Sequence, residues 1–112
     1  GIVVENAFVA EHEDRVVGTA GWFALSARVA ETASLAVDRD YHGLGIGYRL
    51  QEARLAAMRE RGFQVVRTET DRPDTIRWYI EKFGYRRIGT SPKKHEFSLP
   101  DVHEWTILEL DL

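Results

Sequence analysis

A chain of 112 residues is long enough to bury one hydrophobic core and too short for two, so residues 1–112 are expected to form a single domain. The chain has no cysteine, which excludes disulfides, cysteine catalysis and zinc sites that need sulfur, and its net charge of -3 with interspersed signs gives no reason to expect nucleic acid as a partner. No apolar run reaches the roughly 18 residues of a membrane span and no signal-like start is present, so we expect a cytoplasmic protein that does not bind membranes.

The first 25 residues favour an antiparallel hairpin. Residues 5–12 alternate loosely between apolar and polar side chains, and residues 15–25 are rich in Val, Thr, Trp and Phe. The polar residues His12-Glu13-Asp14 separate the two runs, as expected of a tight turn between strands.

Residues 29–37 predict a third strand, which follows a break at residues 26–28. Strict alternation along it gives two faces. One face would carry Glu31, Ala33, Leu35 and Val37, and the other Thr32, Ser34 and Ala36. The carboxylate of Glu31 would then lie on the same side as core residues.

The stretch Val37-Asp38-Arg39-Asp40-Tyr41-His42-Gly43-Leu44-Gly45-Ile46-Gly47 joins this strand to a helix through a glycine-rich turn. Glycines at 43, 45 and 47 can adopt positive φ, so successive N–H groups can converge on an anion at the positive end of the helix dipole. The turn lacks the Gly-Lys-Ser/Thr ending of a P-loop and the Gly-x-Gly-x-x-Gly spacing of dinucleotide sites. It predicts a site for a phosphorylated cofactor, with close packing of helix and sheet as the alternative.

The helix after this turn is predicted to pack one stripe on the sheet and to end at Gly62. The inward stripe would be Ile46, Leu50, Ala53 and Ala57, with Arg49, Glu52, Arg54, Arg59 and Glu60 elsewhere around the helix. Residues 63–70 then predict a strand, which completes a right-handed parallel crossover.

A second helix is predicted between Asp71, as its cap, and Gly84, with Pro73 in the first turn. Its inward stripe would be Ile76, Tyr79, Ile80 and Phe83. Strands at 85–89 and 105–112 follow, separated by a polar connection at 91–101.

Two motifs resemble those of the GNAT superfamily of acyl-CoA-dependent N-acyltransferases, and the likeness spans about residues 8–112. Residues 42–47, His-Gly-Leu-Gly-Ile-Gly, resemble the family's pyrophosphate loop, Arg/Gln-x-x-Gly-x-Gly/Ala. Residues 75–85, Thr-Ile-Arg-Trp-Tyr-Ile-Glu-Lys-Phe-Gly-Tyr, resemble its later helix, Ala-x-x-x-Tyr-x-Lys-x-Gly-Phe. The resemblance implies an α+β fold with a mixed sheet in the order β-β-β-α-β-α-β-β, lacking the family's first strand and first two helices.

The chain departs from the family pattern at three places. His42 stands where the family has Arg or Gln, so the contact to phosphate would be weaker or pH-dependent. The second motif is one residue longer, so Ile80 occupies the tyrosine position and Tyr79 can serve only if the helix bulges. The front helices that help wall the family's acceptor site are not found in this sequence, so we expect that wall to be absent, to be supplied by a partner subunit, as in a homodimer, or to have been removed from the chain.

The resemblance implies an enzyme that moves an acetyl or similar acyl group from acetyl-CoA or a related acyl-CoA to a primary amine by direct attack, without a metal. Glu31 would be the general base, its pKa raised by burial, and Tyr79 the acid for the departing thiolate, with Tyr41 a less favoured substitute. A solvent-exposed Glu31 and a core Tyr79 are the structural alternatives. The implied cofactor contacts are Leu35, Ala36 and Val37 for the pantetheine arm, and His42, Gly43, Leu44, Gly45, Ile46, Gly47, Tyr48 and Arg49 for the diphosphate.

Two other functions stay open at this point. An acyl-CoA-binding or regulatory domain would keep the loop and lack the chemistry. A shortened dinucleotide site, with Glu69 or Asp71 on the ribose, is disfavoured by the hairpin start and the short chain.

Three pairs of polar residues in the C-terminal loop are further candidates. His95-Glu96 and His103-Glu104 match no metal motif and are expected to be solvated or to edge the acceptor site, and Lys93-Lys94 is expected to be a solvated turn or a contact to the 3′-phosphate of CoA. The acceptor itself stays open among amino acids, polyamines, aminoglycosides, aminosugars and protein amines.

Overall fold

The computed structural model describes residues 6–92 and 104–112, which form an α+β fold with a mixed six-stranded sheet and two α-helices. The strand order is β1-β2-β3-β4-β6-β5, so the predicted fold class is confirmed. The elements are β1 (Asn6–His12), β2 (Arg15–Ala24), β3 (Val29–Val37), a 3-10 turn (Arg39–Tyr41), α1 (Ile46–Glu60), β4 (Val65–Thr70), α2 (Pro73–Phe83), β5 (Arg86–Pro92) and β6 (Glu104–Asp111).

Internal contacts divide the chain into two compact units. The first contains β1, β2, β3 and α1 and extends to Val66, with Leu112 added; the second runs from Arg67 to Asp111. Strand β4 therefore contributes residues to both units. A single domain stays a prediction.

The β1–β2 hairpin turns at two residues with positive φ, Glu13 at 50° and Asp14 at 63°. Positive φ at both central positions is the type I′ geometry, whose twist matches that of the flanking strands. His12 pairs with Arg15 on either side of the turn, which confirms the predicted hairpin.

Strand β3 contains a β-bulge that overturns the predicted assignment of its faces. Trp22 of β2 pairs with Thr32, yet Ala20 pairs with Leu35, so β3 has one residue more than β2 over this interval. Because side chains alternate, the extra residue moves Leu35 and Val37 to the face of Ala20 and Trp22. Glu31, which pairs with Phe23, lies on the opposite face. The prediction that Glu31 shares a face with Leu35 and Val37 is wrong.

The buried face of α1 is also rotated from the predicted stripe. Ile46, Ala53 and Ala57 are only half-buried, and the buried residues are Leu50, Gln51, Arg54, Leu55 and Met58. The placement of Arg54 away from the core is therefore wrong, because its side chain is fully buried. Apolar periodicity could not show this, since two of the buried positions are polar.

In the second unit, α2 begins and ends almost as predicted but differs in its cap and its buried stripe. Arg72, not Asp71, is the N-cap residue, and no side-chain hydrogen bond caps the helix. Ile76 and Tyr79 are buried, whereas Ile80 is 37% exposed, so its predicted inward position is wrong. Strand β5 continues to Pro92, beyond the predicted end at Gly89. Most of the predicted polar connection, residues 93–101, lies outside the described residues.

Candidate active site

Asp38 anchors the start of the loop between β3 and α1. Its N–H donates to the Val17 carbonyl of β2 at 2.7 Å, and its Oδ1 accepts from the N–H of Asp40 at 3.1 Å, which caps the 3-10 turn. Its Oδ2 accepts from Nη2 of Arg15 at 2.6 Å. The negative charge of Asp38 is therefore held by an arginine at the edge of the loop, which lowers its repulsion of an anion bound beyond it.

Two glycines give the loop its path into α1. Gly43 has φ of 80° and Gly45, the N-cap residue of α1, has φ of 78°, a region that side chains with a Cβ rarely adopt. A Cβ built on either glycine would meet no atom within 4 Å, so the space around both is open. The left-handed backbone conformation explains glycine at these two positions, and the open space shows that glycine is not needed there to let the helix pack on the sheet.

The amides of residues 43–47 form a row of available donors. Within residues 6–92 and 104–112, none of these five N–H groups donates a hydrogen bond to a backbone carbonyl; the first such bond of the helix runs from Arg49 to Gly45, at 3.1 Å. Gly45 has no side chain to cap the helix. Consecutive N–H groups at a helix start, reinforced by the helix dipole, are the arrangement that binds phosphate groups.

The side chains around these amides suit an anion. The first turn of α1 contains no acidic residue, and Arg49 is exposed at its end. Leu44 and Tyr48 are exposed as well, at 67% and 39%. A phosphate bound at this helix start would be placed by the amides, and the exposed guanidinium of Arg49 would add a positive charge beside it.

His42 is turned back toward β3. Its Nε2 lies 2.7 Å from the carbonyl oxygen of Val37, and because a carbonyl only accepts, Nε2 carries the proton in this contact. That leaves Nδ1, which donates to a phosphate only when the ring is protonated. A phosphate contact by His42 stays a prediction.

The peptide groups of Leu35 and Val37 point away from β2. The N–H of Asp38 donates to Val17, so the peptide groups of Asp38 point toward β2. Because the direction of the peptide groups alternates along a strand, the N–H and C=O groups of Leu35 and Val37 point to the other edge of β3. The Val37 carbonyl accepts the hydrogen bond from Nε2 of His42. The side chain of Ala36 is exposed. That other edge of β3 neighbours β4 in the strand order, and contacts of Leu35 and Val37 to a pantetheine arm stay a prediction.

The side chain of Glu31 is half-buried in β3, opposite the face that carries Leu35 and Val37. It lies before the bulge, and the peptide groups of Leu35 and Val37 lie after it. The bulge therefore sets both the face of the carboxylate and its distance along the strand from those groups.

Tyr79 lies in the second unit and is 5% exposed. Its ring packs edge-on against Tyr85 and Trp78, with centroids 4.9 and 5.1 Å apart. Helix α2 is α-helical from Pro73 to Phe83, so the bulge that would bring Tyr79 into the register of the family's tyrosine is not formed. Its role as an acid stays a prediction.

A pocket of about 620 Å³ borders the loop within the first unit. Its lining is mostly apolar, from β1, β2 and α1, with Phe8, Val17 and Leu50 among the residues that form it. His12 and Arg49 add polar groups. The volume falls in the range of small-molecule sites.

The sequence reasoning missed Gly18 of β2. A Cβ there would lie 3.0 Å from Cδ1 of Leu50, 3.2 Å from Cγ2 of Ile46 and 3.3 Å from the carbonyl oxygen of Ala36. Gly18 therefore lets the first turns of α1 approach β2 and β3 closely. An isolated glycine inside a strand was the signal that could have found it.

Among the described residues, no group of three or more His, Asp or Glu side chains is placed to hold a metal ion. His95-Glu96, Lys93-Lys94 and His103 lie outside those residues. None of the helices that the structure describes is long and apolar enough to cross a membrane.

Residues 4–87 match the family model of an acetyltransferase (GNAT) domain. The chain belongs to the GNAT family. Among curated protein sequences, none matches this chain significantly.

Solved structures of GNAT proteins share the fold. A GNAT family acetyltransferase from Elizabethkingia anophelis with acetyl-CoA bound is similar at a TM-score of 0.80 and 16% identity, over 95% of this chain and 75% of the other. The IAA acetyltransferase from Bacillus cereus is similar at a TM-score of 0.82 and 17% identity, over 95% of this chain and 77% of the other. Ard1 from Thermoplasma volcanium is similar at a TM-score of 0.78 and 25% identity, over 89% of this chain and 66% of the other. The predicted membership of the GNAT superfamily is confirmed.

Proposed function

We propose that this GNAT protein transfers the acetyl group of acetyl-CoA to a primary amine by direct attack of the amine on the thioester. The observation that supports it most strongly is the row of amides at residues 43–47, whose N–H groups are not used by the protein's own backbone within the described residues. The open space at Gly43 and Gly45 fits a diphosphate drawn close to those amides.

The residues of β3 would orient the other end of the cofactor. The N–H groups of Leu35 and Val37 point away from β2, to the edge of β3 that neighbours β4, and are proposed to hydrogen-bond the pantetheine arm there. One of them would also stabilise negative charge on the thioester oxygen during attack, as a preorganised N–H donor does. Bound acetyl-CoA supplies the activated acyl group, so no covalent intermediate on the protein is needed.

Glu31 is the proposed general base: it takes a proton from the acceptor ammonium, directly or through a water, so that the neutral amine can attack the thioester. Its half-buried position on β3 supports this role, because a partly shielded carboxylate stays accessible to an amine. Tyr79 is the proposed acid that returns a proton to the departing thiolate. Its support is the motif it stands in, one position from the family's tyrosine.

The acceptor is proposed to be a cationic amine in the cytoplasm. The test is thiol release from acetyl-CoA with five amines in parallel: an amino acid, spermidine, an aminoglycoside, glucosamine and a short peptide with a free N-terminus. Release above the rate without amine, with a mass increase of one acetyl group on the amine, is the expected result. No release with any of the five, despite acetyl-CoA binding, contradicts the transferase proposal.

A second function is favoured by one observation. Ile80 stands at the family's tyrosine position and is 37% exposed, so that position offers no proton donor. A protein that binds acyl-CoA without transferring the acyl group would have this feature. Ile80→Tyr separates the two: a transferase with Tyr79 as its acid gains little rate, and a binding protein that lacks only the acid acquires measurable turnover.

A further inference from the structure

The fully buried arginine of α1, Arg54, has no part in the function proposed so far. Its side chain is 0% exposed, and so is that of Gln51 one turn earlier, whose Oε1 accepts from Nε of Arg54. Burying a guanidinium is costly unless its donors are hydrogen-bonded. A position that retains a charge in the core is therefore one where its hydrogen bonds matter.

The partners of Arg54 lie at the bulge of β3. One nitrogen, Nη1, donates to the carbonyl of Gly21 in β2 at 3.1 Å and to the carbonyl of Ser34 in β3 at 3.0 Å. Gly21 and Ser34 both lie inside the interval where the pairing changes from Trp22–Thr32 to Ala20–Leu35. A bulge interrupts the ladder and leaves peptide groups without their regular partners. Arg54 supplies the donor for these two carbonyls.

This contact joins the three parts of the proposed site. Helix α1 begins at the amides proposed to hold the diphosphate, the strand before the bulge carries Glu31, and the strand after it carries Leu35 and Val37. Through its hydrogen bond to the Ser34 carbonyl, Arg54 connects helix α1 to the residue between those two stretches of β3. A shift at the bulge would change the position of Glu31 relative to the peptide groups of Leu35 and Val37.

We propose that Arg54 is a positioning residue that fixes the bulge of β3 from helix α1, and so sets the alignment of the proposed base with the cofactor-binding stretch. This inference rests on the proposed function for its effect on turnover. The structural part of the inference, that Arg54 fixes the bulge, is independent of the proposed function.

The test compares Arg54→Met, which keeps the length and apolar stem but removes every donor, with Arg59→Met, the same change at an exposed position of the same helix. Amide hydrogen exchange is measured first, because it needs no activity. In Arg54→Met we expect the amides of residues 33–36 to exchange about tenfold faster or more relative to those of β1, with no such change in Arg59→Met. The Hα–Hα contact between Ala20 and Leu35 in NMR spectra should weaken in parallel.

Turnover is measured next, with the fastest amine of the panel and with acetyl-CoA affinity determined separately. We expect kcat per folded molecule to fall about tenfold or more in Arg54→Met, while the Kd for acetyl-CoA changes much less, since the amides at the helix start are retained. Arg54→Lys keeps one donor group and the charge, and should recover part of both the exchange protection and the turnover.

Three results would overturn the inference. Unchanged exchange at residues 33–36 in a folded Arg54→Met protein shows that the bulge needs no arginine. Altered exchange with normal kcat shows that the bulge does not position the site. If neither Arg54→Met nor Arg54→Lys folds, the arginine holds the whole unit and not the bulge. A wild-type protein without turnover contradicts the proposed function alone, and the exchange result still decides the role of Arg54 at the bulge.

Discussion

At the scale of single residues, the candidate site depends on backbone groups that side chains leave accessible. Gly43 and Gly45 place the loop in a left-handed conformation, and the amides that follow are not used by backbone hydrogen bonds within the described residues. His42 and Asp38, the polar residues before the glycines, are directed at Val37 and Arg15. Recognition by the loop would therefore come from N–H groups, and substitutions that fill or distort the loop should affect it most.

Replacement of Gly45 by alanine tests this directly. Alanine at φ of 78° costs about 1 kcal/mol of folding free energy, and its Cβ would project into the space proposed for the diphosphate. We expect acetyl-CoA affinity to fall about tenfold or more by calorimetry, because each 1.4 kcal/mol of lost contact is a factor of ten. Gly62→Ala is the matched control, since Gly62 has φ of 88° beyond the other end of α1. It should lose similar stability and keep its affinity; equal loss of affinity in both variants would contradict the prediction.

Glu31→Gln keeps the shape of the side chain and removes its basicity. If Glu31 is the general base, kcat should fall about 100-fold or more, with unchanged acetyl-CoA binding, because general-base catalysis contributes about 10²–10⁴-fold. Glu52→Gln, on the exposed side of α1, is the control and should behave as wild type. A kcat for Glu31→Gln within about threefold of wild type would assign the base elsewhere.

At the scale of elements, the geometry depends on how closely α1 lies on β2 and β3. Gly18 permits that approach, with Leu50 and Ile46 of α1 directly above it. Arg54 then connects the same helix to the bulge of β3. One helix therefore carries the proposed phosphate site at its start and a hydrogen bond to the strand of the proposed base along its length.

Gly18→Ala should disturb this packing. The new Cβ would approach Cδ1 of Leu50, which can move, and the carbonyl of Ala36, which cannot move without shifting β3. Overpacking of this kind costs about 1–3 kcal/mol, so we expect a lower midpoint of urea denaturation and weaker acetyl-CoA binding. Gly89→Ala in β5, where a Cβ meets no atom within 4 Å, should leave both unchanged. Wild-type stability in Gly18→Ala would show that α1 does not pack closely against β2 at Gly18.

At the scale of the whole molecule, the sequence predicted more of the fold than of the site. Local patterns placed the hairpin, the third strand, the glycine loop and both helices within a few residues, because each signal is confined to one element. The face of Glu31 could not be predicted, since a bulge becomes visible only when β2 and β3 are paired. The burial of Arg54 was missed for a related reason, since the carbonyls that accept its hydrogen bonds belong to β2 and β3 and are distant from it in sequence.

Ligand binding should also stabilise the fold. Acetyl-CoA at 100 times its Kd is expected to raise the free energy of unfolding by about 2.7 kcal/mol, whereas NAD should have no effect at the same concentration. Thermal denaturation followed by fluorescence measures both. Stabilisation by NAD and not by acetyl-CoA would instead favour the dinucleotide site considered from the sequence.

The central claim is that the amides of residues 43–47 hold the diphosphate of coenzyme A. Its most direct test is an NMR titration that follows those five amide resonances with CoA and, in parallel, with pantetheine, which has no phosphate. We predict large shifts and slowed amide exchange at residues 43–47 with CoA and little change there with pantetheine. Amides that stay unmoved at saturating CoA, or that respond equally to pantetheine, would contradict the account.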